Sequence, residues 1–486
     1  MKTLLVGTAL LTVGLASCLD REPRCVFPEP GPPPSLRLAV VGSRLLDFQG
    51  REVVLRGVNT GGRSKFYPFF PFPFAESGLP AQAGAPDFES AALAYFERVR
   101  EWGLNVVRLP FSWEALEPAR GSYDERYLER YRRLAEICQG LGLRVIVDFH
   151  QDAFAWPYCG DGFPGWACAR PLPTPPADCS GWFTGYLSSD SPVAAAFDRF
   201  WSNVEGLRDR FREMWRHVAR RLWSVDAVIG FEIMNEPFRG SAEETFWGQE
   251  ILPPFYEEIA RAIREVAPGA PVFFDASGTA GAVAQTTMRP PRGEGFVFAP
   301  HYYAPSAFFP GVGHDPAEIA RALGRWAARG SEWGVPVLVG EFGIRPEHPG
   351  ADVYLRAHYD AFDQHLLHAA LWEYSTTADD WNHEGMSITG PGGVERAVVA
   401  EVVRAYPRAV AGAIQAFRFD ATTRSATLSY QAAAGGLTEI ATPLRLYPRG
   451  VAVELAGVRA CTRQSDGTLF VVATEEGPLA VEIRPR

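Results

Sequence analysis

At 486 residues, with 47% hydrophobic and 13% aromatic side chains, the chain exceeds one small core and is too apolar for a disordered tract. One barrel-sized domain with a smaller companion is the natural expectation. Thirteen tryptophans exceed what packing alone usually demands, and a net charge of −10 without long basic runs carries no electrostatic footprint for nucleic acid.

The opening MKTLLVGTALLTVGLASC joins Lys2 to an apolar stretch and a small-residue ending, the layout of a secretory signal over 1–17. LASC, 15–18, also resembles the end of a bacterial lipoprotein signal, in which Cys18 is lipidated and becomes the new N-terminus. A plain signal cleaved elsewhere is the other reading. Residues 18–36, with PEPGPPPS at 28–35, then read as a stiff Pro-rich linker holding a folded body off a membrane surface. The expectation is an exported protein, either a lipoprotein on the cell envelope or a secreted one. No later segment reaches membrane-spanning length.

Eight short apolar runs follow, separated by helical patterns: VVLRGVN (53–59), NVVRLPF (105–111), RVIVDFH (144–150), VIGFEIMNE (228–236), VFFDA (272–276), FVFAPHYY (296–303), VPVLVGEFG (335–343) and AALWEYS (369–375). Between the first two, Leu93, Phe96, Val99 and Trp102 recur at helical spacing and stop at Gly103. Apolar strands alternating with helices predict a parallel sheet covered on its outside, and eight repeats close most economically as an α/β (β/α)8 TIM barrel over 37–405. From Tyr406 the rhythm becomes alternating and turn-rich with no helical pattern, predicting a small C-terminal antiparallel β-sandwich over 406–486.

Cys159, Cys168 and Cys179 fall in one Gly/Pro-rich loop, where an exported protein would oxidise a pair. Cys138 reads as a buried helix thiol, and the partner of Cys461 stays open among Cys25 and the three loop cysteines. No Cys/His set has zinc spacing.

In such barrels the C-terminal strand ends open into the active site. Those ends carry Arg108, then His150 and Asp152, then Asn235 and Glu236, then His301 and Tyr303, then Glu341, then Trp372 and Glu373. Residues of these types at six of eight strand mouths suit glycosidic cleavage with retention, in which one carboxylic acid protonates the leaving oxygen and a second carboxylate attacks the anomeric carbon. The pair must then stand about 5 Å apart. A negative charge on Glu341 is expected to keep Glu236 protonated, and Arg108 to hold Glu341 ionised.

NEP on the fourth strand and GEFG on the seventh, with Arg108, His301, Tyr303 and Trp372, resemble glycoside hydrolase family 5 of clan A across the barrel. The resemblance implies Glu236 as acid/base, Glu341 as nucleophile, Asn235 as binder of the sugar 2-hydroxyl, Tyr303 as partner of the nucleophile and Trp372 as platform under the −1 sugar. VIVDFHQDAFAW (145–156), CGDGFPGWA (159–167) and the C-terminal sandwich are most similar to the endoglycoceramidases, which release the intact glycan from glycosphingolipids. That branch implies glucose contacts from Lys65, His150 and Asp152 and a pocket wall from Trp182; the sequence itself implies neither metal nor organic cofactor. The implied partners are a glycosphingolipid or other β-glucosyl lipid and, through a lipid anchor, a membrane surface. A β-glucosidase on simpler glucosyl lipids, an endoglucanase and a catalytically silent glycan-binding lipoprotein are the alternatives. KFYPFFPFPF, 65–74, is expected to form an exposed apolar rim that receives ceramide chains, or else to pack against a neighbouring element.

Overall fold

The computed structural model describes residues 25–27, 35–76, 84–175, 178–309, 312–377 and 383–486. The expected signal over 1–17, Cys18 and nearly all of the Pro-rich stretch lie outside the described residues.

Three short antiparallel strands come first: β1 (Leu38–Val41), β2 (Arg44–Asp47) and β3 (Glu52–Val53). The barrel follows with β4 (Arg56–Asn59), β5 (Val106–Phe111), β6 (Arg144–Phe149), β7 (Val228–Glu232), β8 (Val272–Phe274), β9 (Phe296–Phe298), β10 (Leu338–Val339) and β11 (His368–Leu371). These eight are parallel in the order β10-β11-β4-β5-β6-β7-β8-β9, and a bridge between Phe298 and Val337 closes the ring. Every residue of β4 to β11 is buried, because helices cover the outer face and side chains fill the interior.

The helix Phe88–Glu101 shows how the outer layer forms. Asp87 caps it by accepting from Ser90 N–H, and Ala92, Tyr95, Phe96 and Val99 make the buried stripe. Leu93, expected on that stripe, is 43% exposed, since it sits to one side of the 92/95/96/99 row.

All eight expected strands exist, but most end earlier than their apolar runs. The run 228–236 is strand only to Glu232, although Ile233 N–H still donates to Phe273 O (3.2 Å) and Asn235 N–H to Phe149 O (2.9 Å). Glu236 then turns into the left-handed region at φ +38°. Pairing runs out where backbone groups must release side chains into the mouth.

The C-terminal strands are β12 (Tyr406–Val410), β13 (Gly412–Asp420), β14 (Ser425–Ala432), β15 (Leu437–Ala441), β16 (Val451–Gly457), β17 (Ala460–Ser465), β18 (Thr468–Ala473) and β19 (Gly477–Pro485). One sheet has the order β13-β14-β19-β16; the other is seven-stranded, β1-β2-β3-β12-β15-β18-β17. This corrects the boundary placed at residue 37. The first three strands belong by hydrogen bonding to the C-terminal sheet, with Ala409 paired to Val53. Leu38, Leu45 and Val53 meanwhile cluster with Leu55, Val106, Ile146, Ile229, Phe273, Val297 and Leu338, so the same strands cap the barrel floor. An alternating pattern this short, followed directly by β4, read as part of the barrel.

Cys25 is bridged to Cys461, and Cys159 to Cys179; Cys138 and Cys168 are free and buried. The Phe-rich segment after β4 is not an apolar rim. Phe70, Phe72 and Phe74 are buried, and each packs within 6 Å of Phe88. The segment turns repeatedly, with Phe69 in the left-handed region, and drops Phe70, Phe72 and Phe74 onto the start of the first barrel helix. No helix among the described residues is long and apolar enough to cross a membrane.

Candidate active site

Arg108 organises the mouth of the barrel from inside β5. Its Nε and Nη2 make a two-pronged pair with Glu232 at 2.8 and 2.7 Å, while Nη2 also reaches Asn235 Oδ1 (2.8 Å) and Asp148 (3.1 Å). Nη1 donates to Asn59 Oδ1 at 2.9 Å and to Glu341 Oε1 at 2.8 Å. A planar fork with five N–H groups can serve this many acceptors at once, where an ammonium could not.

Around this cation the two glutamates converge. Carboxylate oxygens of Glu236 and Glu341 lie within 4.8 Å of each other and of a His301 ring nitrogen. Tyr303 Oη donates to Glu341 Oε2 at 3.0 Å, and His301 Nδ1 lies 2.8 Å from Glu236 Oε1. The left-handed backbone at Glu236 is a strained conformation for a glutamate, of order 1–3 kcal/mol, and it is tied down on both sides. Gln151 Nε2 donates to the carbonyls of Asn235 (2.8 Å) and Glu236 (2.9 Å), and Glu236 N–H reaches Asp275 Oδ2 (3.2 Å). Gly278 supplies room, because a Cβ there would stand 2.6 Å from Glu236 Oε2.

Burial, and after it the charge of Asp152, push the Glu236 carboxyl up to about 7. The expected cause, the charge on Glu341, is not among the leading ones: the Arg108 guanidinium already lies against that carboxylate. His301 is pulled down to about 4 by burial and is neutral near pH 7. Burial and the neighbouring Asp148 charge also push Glu232 up to about 7, against the pull of Arg108.

A second group stands beside the pair. Lys65 Nζ forms ion pairs with Asp152 and, at 3.0 Å, with Glu384. The same nitrogen lies 4.4 Å from the Trp372 ring centre and 5.9 Å from that of Trp182. Glu384 Oε2 in turn accepts from Trp372 Nε1 at 3.0 Å. His150 stacks on Trp372 with centroids 5.1 Å apart and donates through Nδ1 toward Asp148 at 2.8 Å. Burial lowers the His150 pKa, yet the Asp148 and Asp152 carboxylates outweigh it and raise it to about 10. Trp372 is 2% exposed, so the platform offers a narrow face.

Every expected site residue within the described part of the chain, Lys65, Arg108, His150, Asp152, Trp182, Asn235, Glu236, His301, Tyr303, Glu341 and Trp372, therefore stands in one connected cluster. Sequence reasoning missed Asn59, Asp148, Asp161, Glu232, Asp275 and Glu384. Asp148, Glu232 and Asp275 carried a usable signal, a lone acid inside or directly after an apolar run. Asp161 and Glu384 lie in loops without any periodic cue.

Three groups of His and carboxylate ligands are close enough to share a cation: His150/Asp152/Asp161, Glu232/Asp275/His301 and Glu236/His301/Glu341. Each already has a protein cation against one of its carboxylates, Lys65 in the first and Arg108 in the other two. That donor set has the character of an organic polar site more than of a metal centre.

Comparison with known proteins agrees with this geometry. The family described as Cellulase (glycosyl hydrolase family 5) matches residues 62–378, and the glycoside hydrolase family 5 C-terminal domain matches 404–484. Endoglycoceramidase I of Rhodococcus hoagii (strain 103S) is 28% identical, over 93% of this chain and 88% of that protein. An endoglycoceramidase of Cyanea nozakii is 26% identical over 80% of this chain and 79% of its own. The structure of endo-glycoceramidase II from a Rhodococcus species in complex with ganglioside GM3 superposes with a TM-score of 0.75 at 26% identity, covering 92% of this chain and all of that one. With the barrel and the appended sandwich both matched, the chain belongs to glycosyl hydrolase family 5 and is a glycoside hydrolase.

Proposed function

We propose that this protein is an endoglycoceramidase, a retaining hydrolase that cuts the β-glycosidic bond between the glycan and the ceramide of glycosphingolipids. The observation that carries the mechanism is the approach of Glu236 and Glu341 carboxylate oxygens to within 4.8 Å, which matches the ~5 Å separation of double displacement. Glu341, oriented by Arg108 and Tyr303, attacks the anomeric carbon while Glu236 gives its proton to the departing ceramide oxygen. The glycosyl ester removes the negative charge of Glu341. Glu236, now a carboxylate, takes a proton from water, which attacks the same carbon and releases the glycan with its configuration retained.

Asn235 binds the sugar 2-hydroxyl through the Nδ2 hydrogen that Gln151 O does not take; Nδ2 lies 3.1 Å from that carbonyl. Trp372 carries the −1 sugar, and Lys65, His150 and Asp152 contact its hydroxyls with Trp182 as a wall. For the lipid, support comes from the loop after β9: the Phe308 ring is 5.8 Å from that of Tyr303, and Phe308, Phe309 and Val312 are each more than half exposed. An apolar path thus runs outward from the nucleophile's own partner.

The protein acts outside the cytoplasm, on the envelope through a lipidated Cys18 or as a secreted enzyme. The signal-like residues 1–17 support this, as do two disulfides, which persist in oxidising compartments. Incubation with a ganglioside, with glucosylceramide and with carboxymethylcellulose, followed by separation of products, tests the proposal. Free intact oligosaccharide plus ceramide is expected. Glucose alone from glucosylceramide, or shortened glucan, would replace it with a β-glucosidase or endoglucanase.

A further inference from the structure

Asp275 has no part in the steps above, yet its surroundings are unusual for a carboxyl group. It follows β8, is 1% exposed, and among the described residues pairs with no lysine or arginine. Its Oδ1 accepts from Ala276 N–H at 2.6 Å, and its Oδ2 from Glu236 N–H at 3.2 Å. Oδ2 also faces His301 Nε2 at 3.5 Å, and that buried nitrogen has no hydrogen-bond partner among the described residues. Hydrogen bonds at catalytic sites are often long before substrate arrives. The other ring nitrogen, Nδ1, is the one that lies 2.8 Å from Glu236 Oε1. Three groups therefore form a file: Asp275, His301, Glu236.

A neutral imidazole carries one donor and one acceptor, so the file has two proton arrangements. With Nε2–H donating to an ionised Asp275, Nδ1 becomes an acceptor and draws the Glu236 proton onto Oε1, where the imidazole holds it back from transfer. With Asp275 protonated, the order reverses. We propose that Asp275 is a positioning residue for Glu236, acting through His301 as a neutral acid: its O–H donates to Nε2, Nδ1–H donates to Glu236 Oε1, and the transferable proton stays on Oε2. The inference rests on the proposed acid/base role of Glu236.

The charged and titratable groups around Asp275 favour this arrangement. Glu236 and Glu232 face it, His301 stands above it, Tyr256 Oη donates to its carbonyl at 2.8 Å, and Arg108 lies farther off. Burial first, and then the charges of Glu236 and Glu232, push its carboxyl well above the ordinary range.

Three variants and two substrates test the proposal. A ceramide-linked ganglioside has an alkoxide leaving group that needs acid help, whereas a 2,4-dinitrophenyl β-glycoside of the same glycan does not. Asp275→Ala is expected to lower kcat/KM for the ganglioside about 100-fold, within the usual range for general-acid assistance, and for the dinitrophenyl glycoside by less than about fivefold. Asp275→Asn keeps a donor to Nε2 but cannot accept from Glu236 N–H, so a loss of about tenfold or less on the ganglioside is expected, with the basic limb of the kcat/KM profile unmoved. His301→Phe should show the same leaving-group discrimination as Asp275→Ala. Equal losses on both substrates for Asp275→Ala, or a basic limb moved down by about one pH unit in Asp275→Asn, which would mark an ionised aspartate, overturns the inference. Wild-type enzyme that cleaves neither substrate removes the proposed function itself, and the inference with it.

Discussion

Lys65 Nζ lies 4.4 Å from the centre of the Trp372 ring and 3.0 Å from Glu384 Oε1, while Glu384 Oε2 holds the indole N–H of the same tryptophan. The lysine and the sugar platform are thereby locked together by one carboxylate. Lys65 is also the cation that offsets Asp152, while burial and then the Asp152 charge push the nearby Asp161 carboxyl well above its ordinary range.

Lys65→Ala should therefore act on stability as well as binding. Removing one partner from a buried ion pair leaves its carboxylates uncompensated, at a cost of about 3–5 kcal/mol. Chemical denaturation is expected to report a loss of that order, and titration with free glycan a weakened affinity. A variant as stable as wild type would show that the lysine is dispensable to the cluster.

Glu341→Gln preserves shape and removes the attacking charge. Turnover of a ganglioside should fall by at least about 1,000-fold, while glycolipid binding stays measurable by calorimetry. Near-normal turnover would eliminate the double-displacement mechanism.

The pH dependence follows from Glu236. Its carboxyl is raised to about 7, and the first step needs it protonated, so kcat/KM should decline as pH rises through about 7. Stability follows the same sign: the native state binds this proton more tightly than the unfolded chain, so the native state loses stability as pH climbs from the ordinary glutamate range through about 7. Glu236→Gln removes that cost. At pH 8 it should be inactive toward gangliosides and more stable than wild type, by on the order of 2 kcal/mol, in thermal unfolding.

Gly278→Ala addresses the space beside the acid. The added methyl would stand 2.6 Å from Glu236 Oε2, inside contact distance, so the carboxyl must swing away. A loss of roughly 10- to 100-fold in kcat, with KM changed less, is expected from such a displacement. Unchanged kinetics would mean that Glu236 has another productive rotamer.

The barrel was legible because its signals are redundant. Eight apolar runs, their spacing and the polar residues at their ends all point the same way, and Glu236 and Glu341 stand out where an apolar run breaks. The strands β1 to β3 were not legible as part of the distant sheet, since the pairing of Val53 in β3 with Ala409 is a relation across most of the chain that no local pattern encodes. The fate of Phe70, Phe72 and Phe74 was hidden for a related reason: a Pro-rich string of aromatics leaves open what it lies against. Asp161 and Glu384 became visible only through the lysine they share. Polar networks of this kind are properties of the assembled loops.

The stitching of the first strands into the last sheet bears on biogenesis. Residues 38–53 emerge early from the ribosome, yet their hydrogen-bonding neighbour β12 and the Cys461 partner of Cys25 arrive only after the whole barrel has been made. The seam between β3 and β12 therefore stays unpaired until translation has nearly ended, even once the first strands have covered the barrel floor. Closing the seam and oxidising Cys25 with Cys461 then become the final acts of maturation, joining the two ends of the fold.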